Sequence, residues 1–139
     1  VTRYEARQGP GRALGRGVEG VTAGEDIEVV GDGEQTGEFT YVADAVDGTI
    51  KASTADVGGE IFKLGGGSRV TVNKVLATLE EISGLSVRRQ NLPSAPGDPR
   101  HTGASINLAR AKLGWEPRVS LGEGLAQQWE WYRASQPRR

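Results

Sequence analysis

The chain has no cysteine, so it forms neither a disulfide framework nor a thiolate metal site. It has one histidine, His101, which excludes a multi-histidine metal centre, and no motif supports a carboxylate one. It has no methionine, and so as written no initiator, which leads us to expect an excerpt from a longer chain. No apolar run approaches the roughly 18 residues a membrane span needs. No charged segment followed by an apolar stretch marks a signal peptide, so the expected location is cytoplasmic. Charge of one sign is also scarce: the net charge is −1, and residues 101–139 carry 6 basic and 3 acidic side chains. There is no dense Lys/Arg stripe of the kind that tracks a phosphate backbone, so no nucleic-acid partner is expected. At 139 residues, with 36% hydrophobic and 25% charged, the chain fits one soluble globular domain with a thin core.

Glycine, at 21 residues, is abundant. Residues 1–26 read as irregular: Val1–Tyr4 has strand character, but Glu5, Arg7 and Gln8 follow at once and would need buried partners. Ile27–Val30 is a short strand stopped by Gly31-Asp32-Gly33, and Phe39–Val42 is a second. Val42, Val46 and Ile50 recur every fourth residue and predict the inner face of a helix ending near Ser53. Ile61–Leu64 is a predicted third strand, ended by Gly65-Gly66-Gly67. Val72, Val75, Leu76, Leu79 and Ile82 form an amphipathic stripe with Thr71 as N-cap and Gly84 as stop. Ser86–Gln90 is a predicted strand, and Pro93, Pro96 and Pro99 stiffen the loop after it. Ser105 is a predicted cap for a helix carrying Ile106, Ala109 and Leu113, closed by Gly114. Ser120 and Glu123 form a capping box for a last helix with Leu121, Leu125, Trp129 and Tyr132 inside. Strands alternating with about four helices give an α/β class.

Several motifs invite a functional reading. Gly15-Arg16-Gly17-Val18-Glu19-Gly20 matches G-x-G-x-x-G, but no strand precedes it and no helix is expected after it, so a flexible loop is favoured over a dinucleotide cradle. Gly65-Gly66-Gly67 stands between a strand and a helix, where an anion can bind, but no lysine follows; a tight turn is favoured. Asp26, Glu28, Asp32, Glu34 and Glu38 make an acidic run that reads as a solvated edge rather than paired catalytic carboxylates. Asp98, Arg100 and His101 sit in the Pro-bounded loop. They suit a polar ligand, with guanidinium for phosphate and carboxylate for a ribose hydroxyl, and equally an internal Asp–Arg pair that shapes the loop. Trp115 and Trp129 read as core, which leaves Trp131 as the candidate for an exposed aromatic.

Four segments, in this order, resemble the extended short-chain dehydrogenase/reductases that act on nucleotide sugars. They are the run from Ile27 through Gly31-Asp32-Gly33-Glu34-Gln35 to Val46, Gly59–Gly67, Pro96–Ala104, and Leu113–Leu125. The resemblance covers roughly residues 27–134 and is nearest to UDP-glucose and UDP-glucuronate 4-epimerases. It implies the small C-terminal substrate domain of a two-part NAD-dependent epimerase/dehydratase, whose Rossmann half holds NAD and a catalytic Tyr-x-x-x-Lys. On that basis residues 1–26 are the degenerate end of the Rossmann part, 27–135 the nucleotide-sugar-binding domain and 136–139 a tail.

The catalytic and cofactor-binding parts of that family are not found: Tyr4, Tyr41 and Tyr132 are followed four residues on by Gln8, Ala45 and Gln136. The substrate-binding residues implied by the resemblance are Glu28 and Val30 beside the uracil, Asp98 on the ribose or phosphate side, and Arg100 assisting it. The family's diphosphate arginine falls at Gly37 here, and a second arginine found in some epimerases at Ala95. The expectation is therefore a UDP-sugar-binding part with weak or lost binding and no turnover, with NAD belonging to the intact parent. The alternatives are a subunit that docks on a separate Rossmann chain, a non-catalytic interaction module, as a monomer or a homodimer, and a remnant without function.

Overall fold

The computed structural model describes residues 2–8, 13–67, 69–94, 96–97 and 99–136. Strand β1 (Thr2–Tyr4) leads to helix α1 (Ala13–Ala23), strand β2 (Ile27–Val30) and strand β3 (Thr36–Tyr41). Helix α2 (Val42–Thr54) follows β3 directly. Strand β4 (Arg69–Thr71), helix α3 (Val72–Ser83), strand β5 (Arg89–Leu92), helix α4 (Asn107–Leu113) and helix α5 (Leu121–Ser135) complete the order. The result is a small mixed α/β fold with five described helices and short strands.

Two small sheets carry the frame. In the first, β3 is central, parallel to β1 and antiparallel to β4. In the second, β2 and β5 run parallel, with Ile27 opposite Arg89 and Val30 opposite Leu92. The main core joins Tyr4, Leu14, Val18, Val29, Leu79 and Leu125 from β1, α1, β2, α3 and α5. A satellite cluster of Ile106, Ala109 and Trp115 gathers Phe62, Leu64 and Leu113.

Several expectations are met. Thr71 caps α3, its hydroxyl accepting from the Lys74 N–H at 3.0 Å, and Gly84 ends the helix at φ 68. Ser120 and Glu123 form the reciprocal capping box of α5, whose Leu125 and Trp129 are buried. Trp115 is core, and Trp131 is more than a third exposed.

Others are corrected. The described part of residues 1–26 is not irregular: it contains β1 and α1. Leu14, Val18 and Val21 recur at helical spacing and bury one stripe, while Gly15, Gly17 and Gly20 complete the inner face. Tertiary packing thus overrides the poor helix propensity of three glycines. Of the polar residues after β1, Arg7 is exposed and Gln8 finds partners. Gln8 is buried, donating to the Arg3 carbonyl at 3.1 Å and accepting from Gln128 at 3.3 Å.

Residues 61–64 form no described strand, and Ile61 is 85% exposed. The strand comes after the glycines instead. A Cβ at Gly66 would lie 2.1 Å from the Phe39 carbonyl oxygen, so the glycine run lets the chain press against β3 before β4 pairs with it. The predicted strand at 86–90 is displaced to 89–92. Ser105 makes no cap bond; Ile106 stands at the N-cap of α4. The α2 face is also rotated. Val46 and Ile50 are exposed, and Asp44 and Gly48 face inward, because Gly48 packs against Leu64 and Trp115 where no side chain fits.

The glycines of α1 have a measurable consequence. A Cβ at Gly17 would meet Leu79 at 3.5 Å, an ordinary contact, beside an apolar cavity of about 110 Å³ bounded by α1, β2, β3 and α3. Gly17→Ala removes unfolded-state freedom at an inward helical position. It should stabilise the chain by about 0.5–1 kcal/mol, read as a raised urea midpoint at unchanged slope.

Candidate functional site

In a parallel pair, alternate residues of a strand direct both N–H and C=O toward the partner. The Ile27 N–H donates to the Arg88 carbonyl at 2.8 Å and the Gly31 N–H to the Leu92 carbonyl at 2.8 Å. Odd-numbered residues of β2 therefore bond to β5, and Glu28 and Val30 turn their backbone polar groups to the outer edge. Their side chains are exposed and lie over the face shared with Gln90 and Leu92.

The strand ends in a tightly held turn. Gly31 and Gly33 adopt φ 75 and φ 79, conformations that favour glycine. The Gln35 side-chain amide donates to the Val30 carbonyl at 2.7 Å, and that of Asn91 to the Gly31 carbonyl at 2.7 Å. Asp32 accepts from the Glu34 N–H at 2.9 Å and from Arg100 Nη2 at 2.9 Å. These two bonds, the Glu34 N–H first, hold the Asp32 carboxyl below its ordinary range. Arg100 is placed by its own backbone: its carbonyl accepts from the Thr36 N–H at 2.9 Å, and the Thr102 N–H returns to the Thr36 carbonyl at 3.0 Å. His101 Nδ1 lies 2.9 Å from the Thr36 hydroxyl.

Two open clefts meet at Val30. One, of about 550 Å³, runs along α1 and the β2–β5 face past Arg16, Glu28 and Gln90. The other, of about 330 Å³, is bounded by Gly31, Asp32, Gln35, Ser94, Pro99 and Arg100. Of the residues expected at the site, Glu28, Val30 and Arg100 are thus brought to one continuous surface. Asp98 lies outside the described residues. Arg100 pairs with Asp32, from a distant segment, among the described residues.

The acidic run does not act as a unit. Asp26 pairs with Arg88 at 2.9 Å, Glu28 loosely with Arg16 at 3.9 Å, and Glu34 accepts from the Asn73 amide at 2.5 Å. Glu38 is buried and accepts from the Ala104 N–H at 2.8 Å. Sequence reasoning misses Gln35, Asn73 and Asn91, because their roles arise from contacts between separate segments. For Gln35 a signal is present: it belongs to the Gly-Asp-Gly-x-Gln segment on which the resemblance rests.

The glycine motifs do not build a dinucleotide cradle. Gly15, Gly17 and Gly20 are turned into the core from within α1, where most backbone N–H groups are already bonded. Gly66 is packed against β3. Among the described residues, neither glycine run therefore forms a pyrophosphate cradle. The buried tyrosines are structural. The Tyr4 hydroxyl reaches the Ser120 and Leu121 carbonyls at 3.4 Å, and Tyr41 donates to Gln127 at 3.0 Å. Burial raises both phenols above their ordinary range. Among the described residues there is no three-residue cluster of potential metal ligands, and no helix long and apolar enough to cross a membrane.

Residues 2–65 match the model of the NAD dependent epimerase/dehydratase family. The chain is 36% identical over 136 residues to a UDP-glucuronate 4-epimerase of Thermodesulfobacterium geofontis, covering 94% of this chain and 42% of the relative. Among solved structures, it is similar to the UDP-glucuronic acid 4-epimerase of Bacillus cereus in complex with UDP-glucuronic acid and NAD. There the TM-score is 0.89 at 33% identity, over 96% of this chain and 43% of that one. The UDP-glucose 4-epimerase of Thermotoga maritima with UDP-glucose gives a TM-score of 0.89 at 34% identity, over 96% of this chain and 44% of that one. The chain thus spans less than half the length of these relatives. Matched by the family model through β1–β3 and α2, and by these relatives over nearly its whole length, the chain belongs to the NAD dependent epimerase/dehydratase family.

Proposed function

We propose that the outer edge of β2, with the Asp32–Arg100 pair beyond it, binds the nucleotide end of a UDP-sugar. The observation that carries this reading is the parity of β2. Glu28 offers an outward N–H and C=O, Val30 an outward N–H, and the Val30 carbonyl is taken by Gln35. A uracil imide presents an N–H between two carbonyls, so Glu28 C=O accepts its proton and a neighbouring N–H donates to its oxygen. The second cleft, with the Arg100 guanidinium at its wall, adjoins that edge at Val30 and would take the ribose and its diphosphate. Asp98 would contribute on the ribose or phosphate side. The relatives named above are UDP-sugar epimerases, one of them solved with its UDP-sugar and NAD together. The residues of this chain bind and orient; they supply neither a Tyr-x-x-x-Lys pair nor a pyrophosphate cradle, and no step of the epimerase reaction is assigned to them.

The test is a thermal melt with UDP, UDP-glucose and UDP-glucuronate, followed by calorimetric titration. A ligand held only by the folded chain at a hundred times its Kd adds about 2.7 kcal/mol of stability. A rise in melting temperature with UDP but not with ADP supports the reading. A sharp melt that none of the ligands moves sinks it. Epimerisation of either UDP-sugar by the purified chain alone would contradict the absence of turnover.

A second reading, docking on a separate Rossmann-type chain, is favoured by one observation. Among the described residues strand β1 pairs on one side only, with β3, and α2 leaves Val46 and Ile50 half or more exposed. Activity gained on mixing this chain with such a partner would support it, and its absence at saturating partner would remove it.

A further inference from the structure

We propose that Asn73 is a positioning residue for the nucleotide-facing edge, fixing from the start of α3 the Gly31–Glu34 turn and through it the outward backbone groups of Glu28 and Val30. The inference rests on the UDP-sugar reading above. Gly31 and Gly33 have no side chain and Asp32 and Glu34 are exposed, so no core side chain of its own holds the turn. Its conformation is set by polar contacts, and Asn73 reaches three of its four residues. The Asn73 backbone N–H donates to the Gly33 carbonyl at 3.0 Å. Its side-chain amide donates to the Asp32 carbonyl at 3.2 Å and to the Glu34 carboxylate at 2.5 Å. Its side-chain oxygen accepts from Arg89 Nη1 at 2.7 Å. Both amide hydrogens and the oxygen are therefore used. Packing says the same: a Cβ on Gly33, which sits at φ 79, would lie 2.1 Å from Asn73 Oδ1.

Arg89 closes the arrangement. It stands on β5 directly opposite Ile27 of β2, so the Asn73 amide links α3, the turn and the sheet that bears the edge. Removing that amide leaves the Thr71 cap and the buried Val75, Leu76 and Leu79 of α3 untouched. A loosened turn costs affinity because the ligand must then order it on binding.

The experiment uses wild type, Asn73→Ala, Asn73→Asp, and the double variant Asn73→Asp/Glu34→Gln. Asn73→Asp places a carboxylate against Glu34; the second change restores an amide–carboxylate hydrogen bond with donor and acceptor exchanged. Backbone amide exchange at Gly31 and Glu34 is followed without ligand, and UDP affinity by titration. Both single variants should exchange about tenfold faster at these amides and bind UDP about tenfold more weakly. Their melting temperatures should stay within about 4 °C of wild type, a change of under 1 kcal/mol. The double variant should recover most of the affinity. Unchanged exchange in the single variants overturns the clamp. Faster exchange with unchanged UDP affinity overturns its role in binding. A wild-type chain that ignores UDP overturns the UDP-sugar reading instead, and the exchange data still decide whether Asn73 holds the turn.

Discussion

Asp44→Ala is expected to lower the free energy of unfolding by about 3 kcal/mol, the sum of two charge-assisted hydrogen bonds at the low end of their range. Asp44 is the third residue of α2 and is almost fully buried. Its Oδ1 accepts from the Arg118 N–H and its Oδ2 from the Val119 N–H, each at 3.0 Å. Its carbonyl accepts from Trp115 Nε1 at 2.9 Å. One residue thus ties the connection between α4 and α5 to the start of α2, where a carboxylate also suits the helix dipole. The connection matters because it ends at Ser120, the cap of α5, against which the Tyr4 hydroxyl rests. An amide at this position is a partial remedy only. Asp44→Asn keeps one acceptor but turns an NH2 group against the second N–H, so it should recover less than half of the loss. Urea unfolding of both variants measures this. A change below about 1 kcal/mol for Asp44→Ala would mean that water replaces the carboxylate and that residues 118–119 are held by other contacts.

The stability of that connection shows what a sequence conveys and what it withholds. Helices α3 and α5 are legible because their signals are local: a cap, a stripe of the right period and, in α3, a glycine stop follow one another along the chain. Helix α1 is not, since three glycines and a weak stripe look like a loop until β2 and α3 supply something to pack against. Val46 and Ile50 mislead for the opposite reason. Their period is correct, but the tight fit of Gly48 against Trp115 rotates α2 and puts its polar Asp44 inside. Strand β4 is displaced from its expected place because the decisive contact, Gly66 on the Phe39 carbonyl, is between residues distant in sequence.

The site divides along the same line. The order of motifs points to Glu28, Val30 and Arg100, and these three lie on adjoining clefts. How they are held is not legible. The Asp32–Arg100 pair spans 68 residues and the Asn73–Glu34 contact 39, and neither follows from periodicity or spacing. Polar side chains that position a backbone edge have no hydrophobic pattern to announce them.

The second large effect concerns affinity. Gly37→Arg should tighten UDP binding by about tenfold or more, since a charge-assisted contact to a diphosphate contributes about 1.5–3 kcal/mol. The resemblance places the family's diphosphate arginine at this position, and the backbone here accepts a side chain. Gly37 is not among the glycines with positive φ, and the nearest neighbours of a Cβ on it would be the Thr102 hydroxyl at 3.5 Å and the edge of the Phe39 ring at 3.8 Å, ordinary contacts. It lies one residue after Thr36, which is stitched to the backbone of Arg100 and Thr102, so a long side chain from Gly37 starts beside the cleft that Arg100 borders. Uridine supplies the control. It carries the base and ribose without the diphosphate, so the same substitution should leave its affinity unchanged, and the gain for UDP should shrink as salt screens the added charge. Equal gains for UDP and uridine would mean that the arginine acts through the fold rather than through phosphate. No gain for either would mean that the diphosphate does not pass Gly37, and the second cleft would lose its assignment while the Glu28–Val30 edge kept its own.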